Sequence, residues 1–338
     1  MPDGMDLSII IVNYKTPDLL TDCLRTVYTQ TRSLVLEVIV VDNASGDNSR
    51  ELITTAFPQV KWIQLSYNAG FARGNNEGIR QSTGDVVLLL NSDTLNEGNA
   101  IEHCYRALIA SDYAGAGVQL LYGDRSAQIS GNYFVTGGIN YLLSLPYLGR
   151  FIKWLGTLAK VDKPNLPDSN APVEVDWING AFLMVKRTTI DKAGLLDEDF
   201  FLYAEEAEWC SRLRKVGRLC IFGQYKVIHL LGKTANETFG STSKGYNNMY
   251  DRKGLQIMLS NMVRIRKQFG AGWYLFQLAG YTFNIPVFFI SSFIENMVRL
   301  RNPFSGFPWA AKFAGNVIRL WRYMPVILAN KPYFYKVL

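Results

Sequence analysis

With 338 residues the chain is long enough to bury a full core in one or two domains, and 48% hydrophobic against 19% charged residues excludes a disordered protein. The formal charge of +6 is local: from Glu295 onward one acid faces Arg299, Arg301, Lys312, Arg319, Arg322, Lys331 and Lys336, so residues 1–294 are neutral overall. That distribution argues against nucleic acid as a partner of the main body and for a basic, surface-binding tail. Four cysteines without metal-ligand spacing fit a reducing cytoplasm, and the short apolar run Leu7 to Val12, with no basic region before it, predicts no signal peptide.

The first half repeats one rhythm. Ser8 to Val12 is β-branched and apolar; Asn13-Tyr14-Lys15 turns the chain, and Thr16 followed by Pro17 predicts a capped helix to about Thr29. Leu36 to Val41 is a second strand ending at Asp42-Asn43, with a helix capped within Ser45 to Ser49 and reaching about Phe57. Lys61 to Leu65 is a third strand, ending near Asn68, before a glycine-containing helix over Gly70 to Gln81. After Gly84-Asp85 the run Val86 to Leu90 has no polar interruption, as a central strand buried on both faces requires, and Asn91-Ser92-Asp93 follows it. Strands alternating with helices at this spacing predict βαβ units and a mostly parallel sheet with helices on both faces.

In such a sheet the strand ends Asn13 and Tyr14, Asp42 and Asn43, Asn68, and Asn91 with Asp93 gather along one edge, where ligands bind. Oxygen ligands on the last loop suit a divalent cation. No Gly-x-Gly-x-x-Gly or Gly-Lys-Ser/Thr follows the first strand, which disfavours a Rossmann dehydrogenase or a P-loop NTPase.

Beyond Gly123 the rhythm breaks. Tyr133 to Lys160, rich in Tyr, Phe, Leu and Gly, is expected to form an inserted loop or short helix over the site or simply to pack. Trp177 to Val185 is a strand interrupted at Asn179-Gly180, where glycine lets the backbone approach a ligand. Glu205, Glu206 and Glu208 open an amphipathic helix; acids there complement the helix dipole, while burial against Phe200, Phe201 and Trp209 would tune one of them as a general base. Lys226 to His229 is a short strand whose terminal histidine is a candidate ligand.

Taken together, Ser8-Ile9-Ile10-Ile11-Val12-Asn13-Tyr14, Val40-Val41-Asp42-Asn43-Ala44-Ser45, Asn68-Ala69-Gly70-Phe71-Ala72-Arg73-Gly74-Asn75-Asn76, Asn91-Ser92-Asp93, Trp177-Ile178-Asn179-Gly180-Ala181, the Glu205 to Glu208 helix and His229 occur in an order that resembles family 2 of the inverting glycosyltransferases, with the GT-A fold, and its bacterial rhamnosyltransferase-like branch. The resemblance covers about residues 6–235. It implies a nucleotide-sugar donor, dTDP-rhamnose or another dTDP- or UDP-sugar, and a lipid-linked or polysaccharide acceptor in surface-glycan synthesis. It also implies that Asp42 hydrogen-bonds the pyrimidine base in a pocket lined by Asn13 and Tyr14, with Asn43, Asn68, Gly70, Arg73, Asn76, Asn91 and Ser92 on the donor side. Trp177, Asn179, Gly180 and Glu208 are then on the acceptor side. Asp93, with His229, is implied as the holder of Mg²⁺ or Mn²⁺, and Glu206, or else Glu205, as the base. Two departures stand out: Asn91 replaces the first motif aspartate, and glutamates stand at 206 and 208 where aspartate is usual.

These readings divide the chain into a catalytic domain, 1–240, with donor half 1–122 and acceptor half 123–240, and a helical, membrane-associating region, 241–338. Gln268 to Ile294 carries no charge and is long enough to span a bilayer, but Asn284 and Pro286 interrupt it. Both flanks are basic, Arg264, Arg266 and Lys267 before it and Arg299 and Arg301 after, which leaves spanning and lying in the interface both open. Trp309, Phe313, Ile318, Trp321 and Tyr323 among basic residues suit the inner face of a plasma membrane or a homodimer interface. Two other functions remain: a non-catalytic membrane-bound scaffold of the same fold, and a nucleotidyltransferase, for which the sequence has no glycine-rich phosphate loop.

Overall fold

The computed structural model describes residues 4–158, 170–230, 239–241 and 248–337; Lys160 lies outside them. In chain order the elements are β1 Leu7–Asn13, α1 Pro17–Gln30, β2 Leu36–Asp42, α2 Ser49–Ala56, β3 Lys61–Gln64, α3 Gly70–Arg80, β4 Val86–Asn91, β5 Thr94–Asn96, α4 Ala100–Ile109, β6 Gly115–Leu121 and β7 Gly131–Asn132. A 3₁₀ stretch Thr136–Ser144 follows, then α5 Leu148–Leu158, β8 Pro172–Val175, β9 Trp177–Ile178, β10 Phe182–Lys186, α6 Arg187–Ala193, α7 Glu205–Leu213, β11 Leu219–His229, α8 Arg252–Phe269, α9 Ala271–Val298 and α10 Phe307–Ala329. They form two compact units. One is Met1–Tyr133, Asn165–Phe201 and Glu205–Thr234; the other is Phe134–Pro164, Leu202–Ala204 and Ala235–Leu338.

The first unit is built on a nine-stranded sheet in the order β3-β2-β1-β4-β10-β6-β11-β5, with β8 also on β11. Strands β3, β2, β1 and β4 are mutually parallel, with Asn13 opposite Asp42 and Val12 opposite Asn91. Alternation along these strands sorts the core. Leu7, Ile9, Ile11, Val38, Val40, Leu88 and Leu90 share one cluster with Leu20, Leu24 and Val27 of α1, Ile53 of α2 and Ile101 and Leu108 of α4. Ile10 faces the other way, toward α3. There Gly78 explains why a helix should carry so much glycine: a Cβ on it would come within 2.4 Å of Ile10 Cγ2, so helix and strand approach closer than any other residue allows.

Three expectations need correction. Trp177–Val185 is two strands, β9 pairing with β7 and β10 lying antiparallel between β4 and β6, because the Asn179-Gly180 turn separates them. Strand β11 is eleven residues long, with a register shift between Phe222 and Lys226. The fully buried β6 and helix α4 were not foreseen, Gly115 and Gly117 having obscured the strand. Neither Thr16 nor Asn48, at the starts of α1 and α2, caps with its side chain; Asp47 Oδ1 instead accepts from the Ser49 amide at 2.9 Å, and Thr16 and Ser45 bond elsewhere, as described below.

The second unit takes in the inserted segment 134–158 as well as the C-terminal helices. Gln277 of α9 donates to the Gly137 carbonyl at 3.0 Å, and Asp251 caps α8 by accepting from the Gly254 amide at 2.9 Å. Pro286 and Asn284 do not interrupt α9: it runs unbroken for 28 residues, with Asn284 fully buried. Arg264 is not a flanking charge either, being 2% exposed with its guanidinium 5.2–5.6 Å from the rings of Phe134, Tyr141 and Phe269. All four cysteines are buried thiols, and burial pushes Cys23 and Cys210 up to about 12.

Candidate active site

The parallel strands deliver their polar ends to one edge. Asn13, fully buried, donates from Nδ2 to Asp42 Oδ1 at 2.7 Å and to Ser45 Oγ at 3.2 Å, and accepts from Thr16 Oγ1 at 2.9 Å. Thr16 in turn sits 3.0 Å from Ser92 Oγ, tying the end of β1 to the loop after β4. Asp42 is 2% exposed and receives four donors: Asn13 Nδ2, the Ser45 hydroxyl at 2.5 Å, the Ser45 amide at 2.9 Å and Gln64 Nε2 at 2.7 Å. The loops carry left-handed residues, Lys15 at φ 58° and Ala44 at φ 59°, and Lys15 Nζ lies 5.5 Å from the centre of the half-buried Tyr14 ring. Such backbone is retained where the surroundings fix it.

Asn43 clamps the next loop, accepting from the Ala69 amide at 2.8 Å and donating to the Gly70 carbonyl at 3.0 Å, while Asn68 Oδ1 accepts from the Gly70 amide at 3.1 Å. Gly70 has φ +79°, and a Cβ there would meet the Phe201 carbonyl oxygen at 2.1 Å. Along α3, Asn76 is fully buried and spends its amide on Leu196, donating to the carbonyl at 2.8 Å and accepting from the N–H at 3.0 Å, with Glu198 Oε1 at 3.1 Å. Asn76, expected on the donor side, thus directs its amide at the 196–198 turn. Arg73 is drawn to the same turn, donating from Nε to the Glu198 carbonyl at 2.9 Å and from Nη1 to the Tyr67 hydroxyl at 3.3 Å.

At the end of β4, Asp93 Oδ1 lies 3.3 Å from His229 Nε2, and Asn91 Nδ2 lies 3.2 Å from the same nitrogen. The histidine is 3% exposed and is oriented by Gln128, a lone polar residue in an irregular loop that no periodicity singles out. Gln128 Nε2 donates to the carbonyls of His229 at 2.6 Å and Leu121 at 3.1 Å, which turns Oε1 toward His229 Nδ1 at 3.0 Å. Nδ1 therefore carries a proton, and Nε2 is the nitrogen turned to Asp93. The Nε2 lone pair accepts from Asn91 Nδ2 at 3.2 Å, and Asp93 Oδ1 stands 3.3 Å from the same nitrogen, so an imidazole nitrogen and a carboxylate oxygen lie side by side. Two ligands of one ion at bond lengths of about 2.1 Å and a right angle lie about 3 Å apart, so the pair fits Mg²⁺ or Mn²⁺ as two of its ligands. Among the described residues no group of three or more His, Cys, Asp and Glu could hold a metal, so the protein offers two candidate ligands here.

On the other side of β4, the Asn91 amide donates to the Ala181 carbonyl at 3.1 Å, which places Gly180 just past the strand end. A Cβ on Gly180 would lie 3.5 Å from Glu206 Cβ and 3.4 Å from the Phe71 ring, so Glu206 meets the same edge. Glu206 is half-buried, whereas Glu205 is 3% and Glu208 is 6% exposed. Glu208, expected on the acceptor side, has both oxygens held by Arg212 Nε and Nη2 at 2.8 Å. Asn179 is likewise committed: its Oδ1 accepts from the Ala181 amide at 2.9 Å and its Nδ2 donates to the Ile129 carbonyl at 3.1 Å. Trp177 is half-buried on β9.

Residues 8–136 match the sequence model of Glycosyl transferase family 2. The chain carries a glycosyltransferase family 2 domain. It is 30% identical over 215 residues to the low-salt glycan biosynthesis hexosyltransferase Agl10 of Haloferax volcanii, a match covering 62% of each chain. It is 26% identical over 202 residues to the N-acetylglucosaminyl-diphospho-decaprenol L-rhamnosyltransferase of Mycobacterium tuberculosis, covering 55% of this chain and 64% of that one. The match thus spans less than two thirds of the length of either relative. Among solved structures, the mannosyltransferase PcManGT of Pyrobaculum calidifontis in complex with GDP-Man and Mn²⁺ superposes with a TM-score of 0.53 at 15% identity, over 97% of this chain and 86% of that one. That likeness carries the fold alone. The sheet of the family 2 domain is of the GT-A kind, extended by a C-terminal helical region.

Proposed function

We propose that this family 2 chain is an inverting, divalent-metal-dependent transferase that moves a sugar, rhamnose from dTDP-rhamnose in the first instance, onto a lipid-linked acceptor of surface-glycan synthesis. The observation that carries the reading is the convergence on one sheet edge of the Asp93–His229 pair at 3.3 Å and of Glu206, placed there by Gly180. The Mycobacterium relative's name supports rhamnose and the lipid-linked acceptor, and the Mn²⁺ bound in PcManGT supports the metal. Helix α9, whose most apolar 18-residue stretch has a mean hydropathy of 1.2 and is one third buried, supports contact with a membrane.

In this reading Asp93 and His229 Nε2 would hold the ion, and the chemistry it would supply there is Lewis acidity toward the nucleoside diphosphate leaving group. Asn13, Tyr14 and Asp42 orient the base at the ends of β1 and β2. Glu206 takes the proton of the acceptor hydroxyl as its oxygen bonds to the anomeric carbon; the bond from that carbon to the diphosphate breaks, its electron pair leaves with the diphosphate, and the centre inverts. Glu206 is preferred to Glu205 because it is half-buried at the edge while Glu205 is 3% exposed. A general base contributes about 10²- to 10⁴-fold, so Glu206→Gln is expected to lose that much turnover while keeping the Mn²⁺-dependent thermal shift with dTDP. Full turnover in Glu206→Gln would remove the assigned base. No shift with dTDP, UDP, GDP or CDP, with Mn²⁺ or with chelator, would favour a non-catalytic scaffold.

A further inference from the structure

The second unit holds a cleft of about 460 Å³ whose lining includes Tyr147, Arg150, Glu295, Arg299, Arg301 and Trp309. Three guanidinium groups share it with one carboxylate. Arg299 Nη2 lies 2.8 Å and Arg150 Nη2 3.6 Å from the Glu295 oxygens, and the Arg150 guanidinium lies 4.6 Å from the Tyr147 ring centre. The Tyr147 hydroxyl, with Arg299 and Arg150, holds the Glu295 carboxyl below the usual range, so it stays ionised and fixes two of the arginines. It neutralises one of three positive charges. The side chains of Arg150 and Arg299 are 66% and 54% exposed, leaving their remaining N–H groups open to an anion, and planar guanidinium forks match phosphate oxygens.

The rim of this cleft is unusual for a water-facing turn. Between α9 and α10, Val298, Leu300 and Phe304 are 78%, 95% and 59% exposed, and Leu300 sits at φ +53°, a left-handed conformation that a branched side chain takes only at a cost. The turn therefore gives up backbone energy to hold a leucine in the open between Arg299 and Arg301. Along α9, exposed Phe276, Phe283, Ile290, Ile294 and Met297 continue the apolar surface to this tip at spacings of one or two helical turns. Exposed apolar side chains that alternate in sequence with Arg299 and Arg301, beside a cleft lined by Arg150, Tyr147 and Trp309, offer the acyl-chain, phosphate and interfacial contacts of a bilayer together.

We propose that the turn at 298–304 inserts into a lipid bilayer and that the cleft of Arg150, Arg299 and Arg301 takes the phosphate of a membrane lipid headgroup. The inference uses no residue of the sugar-transfer site and stands or falls separately from it.

Full-length protein is sedimented with vesicles of phosphatidylcholine alone and of phosphatidylcholine with roughly 30% phosphatidylglycerol, at fixed salt. R150Q/R299Q/R301Q is expected to lose about thirtyfold in affinity for the anionic vesicles, while the charge-matched R319Q/R322Q/K331Q on and after α10 stays within about threefold of wild type. Leu300→Asp, at a side chain already in water, is expected to keep the wild-type melting temperature and to lose binding to both vesicles. Equal losses in the two triple variants would overturn the cleft in favour of diffuse attraction, and unchanged binding by Leu300→Asp would overturn the insertion. Two further results count against the proposal: self-association abolished by Leu300→Asp without vesicle binding, which makes a second copy the occupant, and stabilisation by inorganic phosphate without vesicle binding, which makes it a free anion.

Discussion

Replacing Gln128 by methionine tests the arrangement at the end of β4 through a residue that touches neither substrate nor ion. The side chain is 6% exposed and makes three hydrogen bonds, to the His229 and Leu121 carbonyls and to His229 Nδ1. Methionine fills a similar volume but strands all three partners, two of them backbone oxygens of β6 and β11. A stranded buried group costs about 1–3 kcal/mol, and the carbonyls keep a second lone pair, so a loss of about 2–4 kcal/mol in urea unfolding is expected. The metal should respond separately. Without the acceptor at Nδ1 the imidazole is free to carry its proton on Nε2, which removes the lone pair facing Asp93. Calorimetric titration of Mn²⁺ into the dTDP-bound protein should show a 10- to 100-fold weaker affinity, roughly the effect of losing an outer-shell partner of a metal-bound histidine. Gln128→Glu separates the two effects: it restores the acceptor but turns a carboxylate on two carbonyls, so metal affinity should recover while stability does not. Wild-type Mn²⁺ affinity in Gln128→Met would refute the assignment of Nε2 as a ligand.

Gly70→Ala forces a Cβ to within 2.1 Å of the Phe201 carbonyl at φ +79°, so the loop must shift and release the Phe71 N–H to Phe201 bond of 2.8 Å; a loss of about 2–4 kcal/mol is expected by urea unfolding, and a loss under about 0.5 would contradict that packing. At Asp251, burial raises the carboxyl pKa but the Gly254 amide, the Ser241 hydroxyl and Asn248 outweigh it, holding it below the usual range. A depressed folded pKa means stability present above the unfolded value near 3.9 and lost as pH falls through the folded one; Asp251→Ala should cost about 1 kcal/mol at neutral pH, a deficit that closes below about pH 4 in melting curves. A deficit that stays constant with pH would remove the cap from the account. Gln64, exposed on edge strand β3, is the donor on Asp42 that a base N–H can most readily replace, so Gln64→Ala should leave nucleotide affinity within about threefold, whereas Asn13→Ala, at a fully buried side chain, should weaken it more than tenfold by calorimetry.

The parallel half of the sheet was legible because each of its strands is a β-branched or leucine run ending in a polar pair, and the register puts Asn13, Asp42 and Asn91 side by side as that pattern required. What the sequence hid has physical reasons. Strand β6 is Gly-Ala-Gly-Val-Gln-Leu-Leu, and its glycines are there because Met184, Leu219, Ile178 and Ile221 crowd in, a tertiary demand that local propensity does not carry. Gln128 is one polar residue in an irregular loop, and its partner His229 is 101 residues away. The charge on Arg264 looked like a membrane flank because nothing local shows that three aromatic rings enclose it.

Hydrogen-bonding capacity sorts the polar residues that sequence alone grouped together. Asn76, Asn179 and Glu208 direct their amide or carboxylate groups at the protein's own backbone or at Arg212, so their chemistry is spent on holding loops in place. Asn13 and Asp42 are also satisfied, but by one another and by side chains that can exchange, Gln64 among them, so a ligand can enter that network by substitution at little net cost. Asp93 and His229 differ again: a carboxylate oxygen lies 3.3 Å from an imidazole nitrogen to which only Asn91 Nδ2, at 3.2 Å, is a neutral donor, the pair to which the proposed reading gives a cation. Framework, exchangeable network and the Asp93–His229 pair follow each other along one sheet edge. In the proposed reading that order would give rigid loops, a network that a donor base can enter reversibly, and charge where the diphosphate would depart.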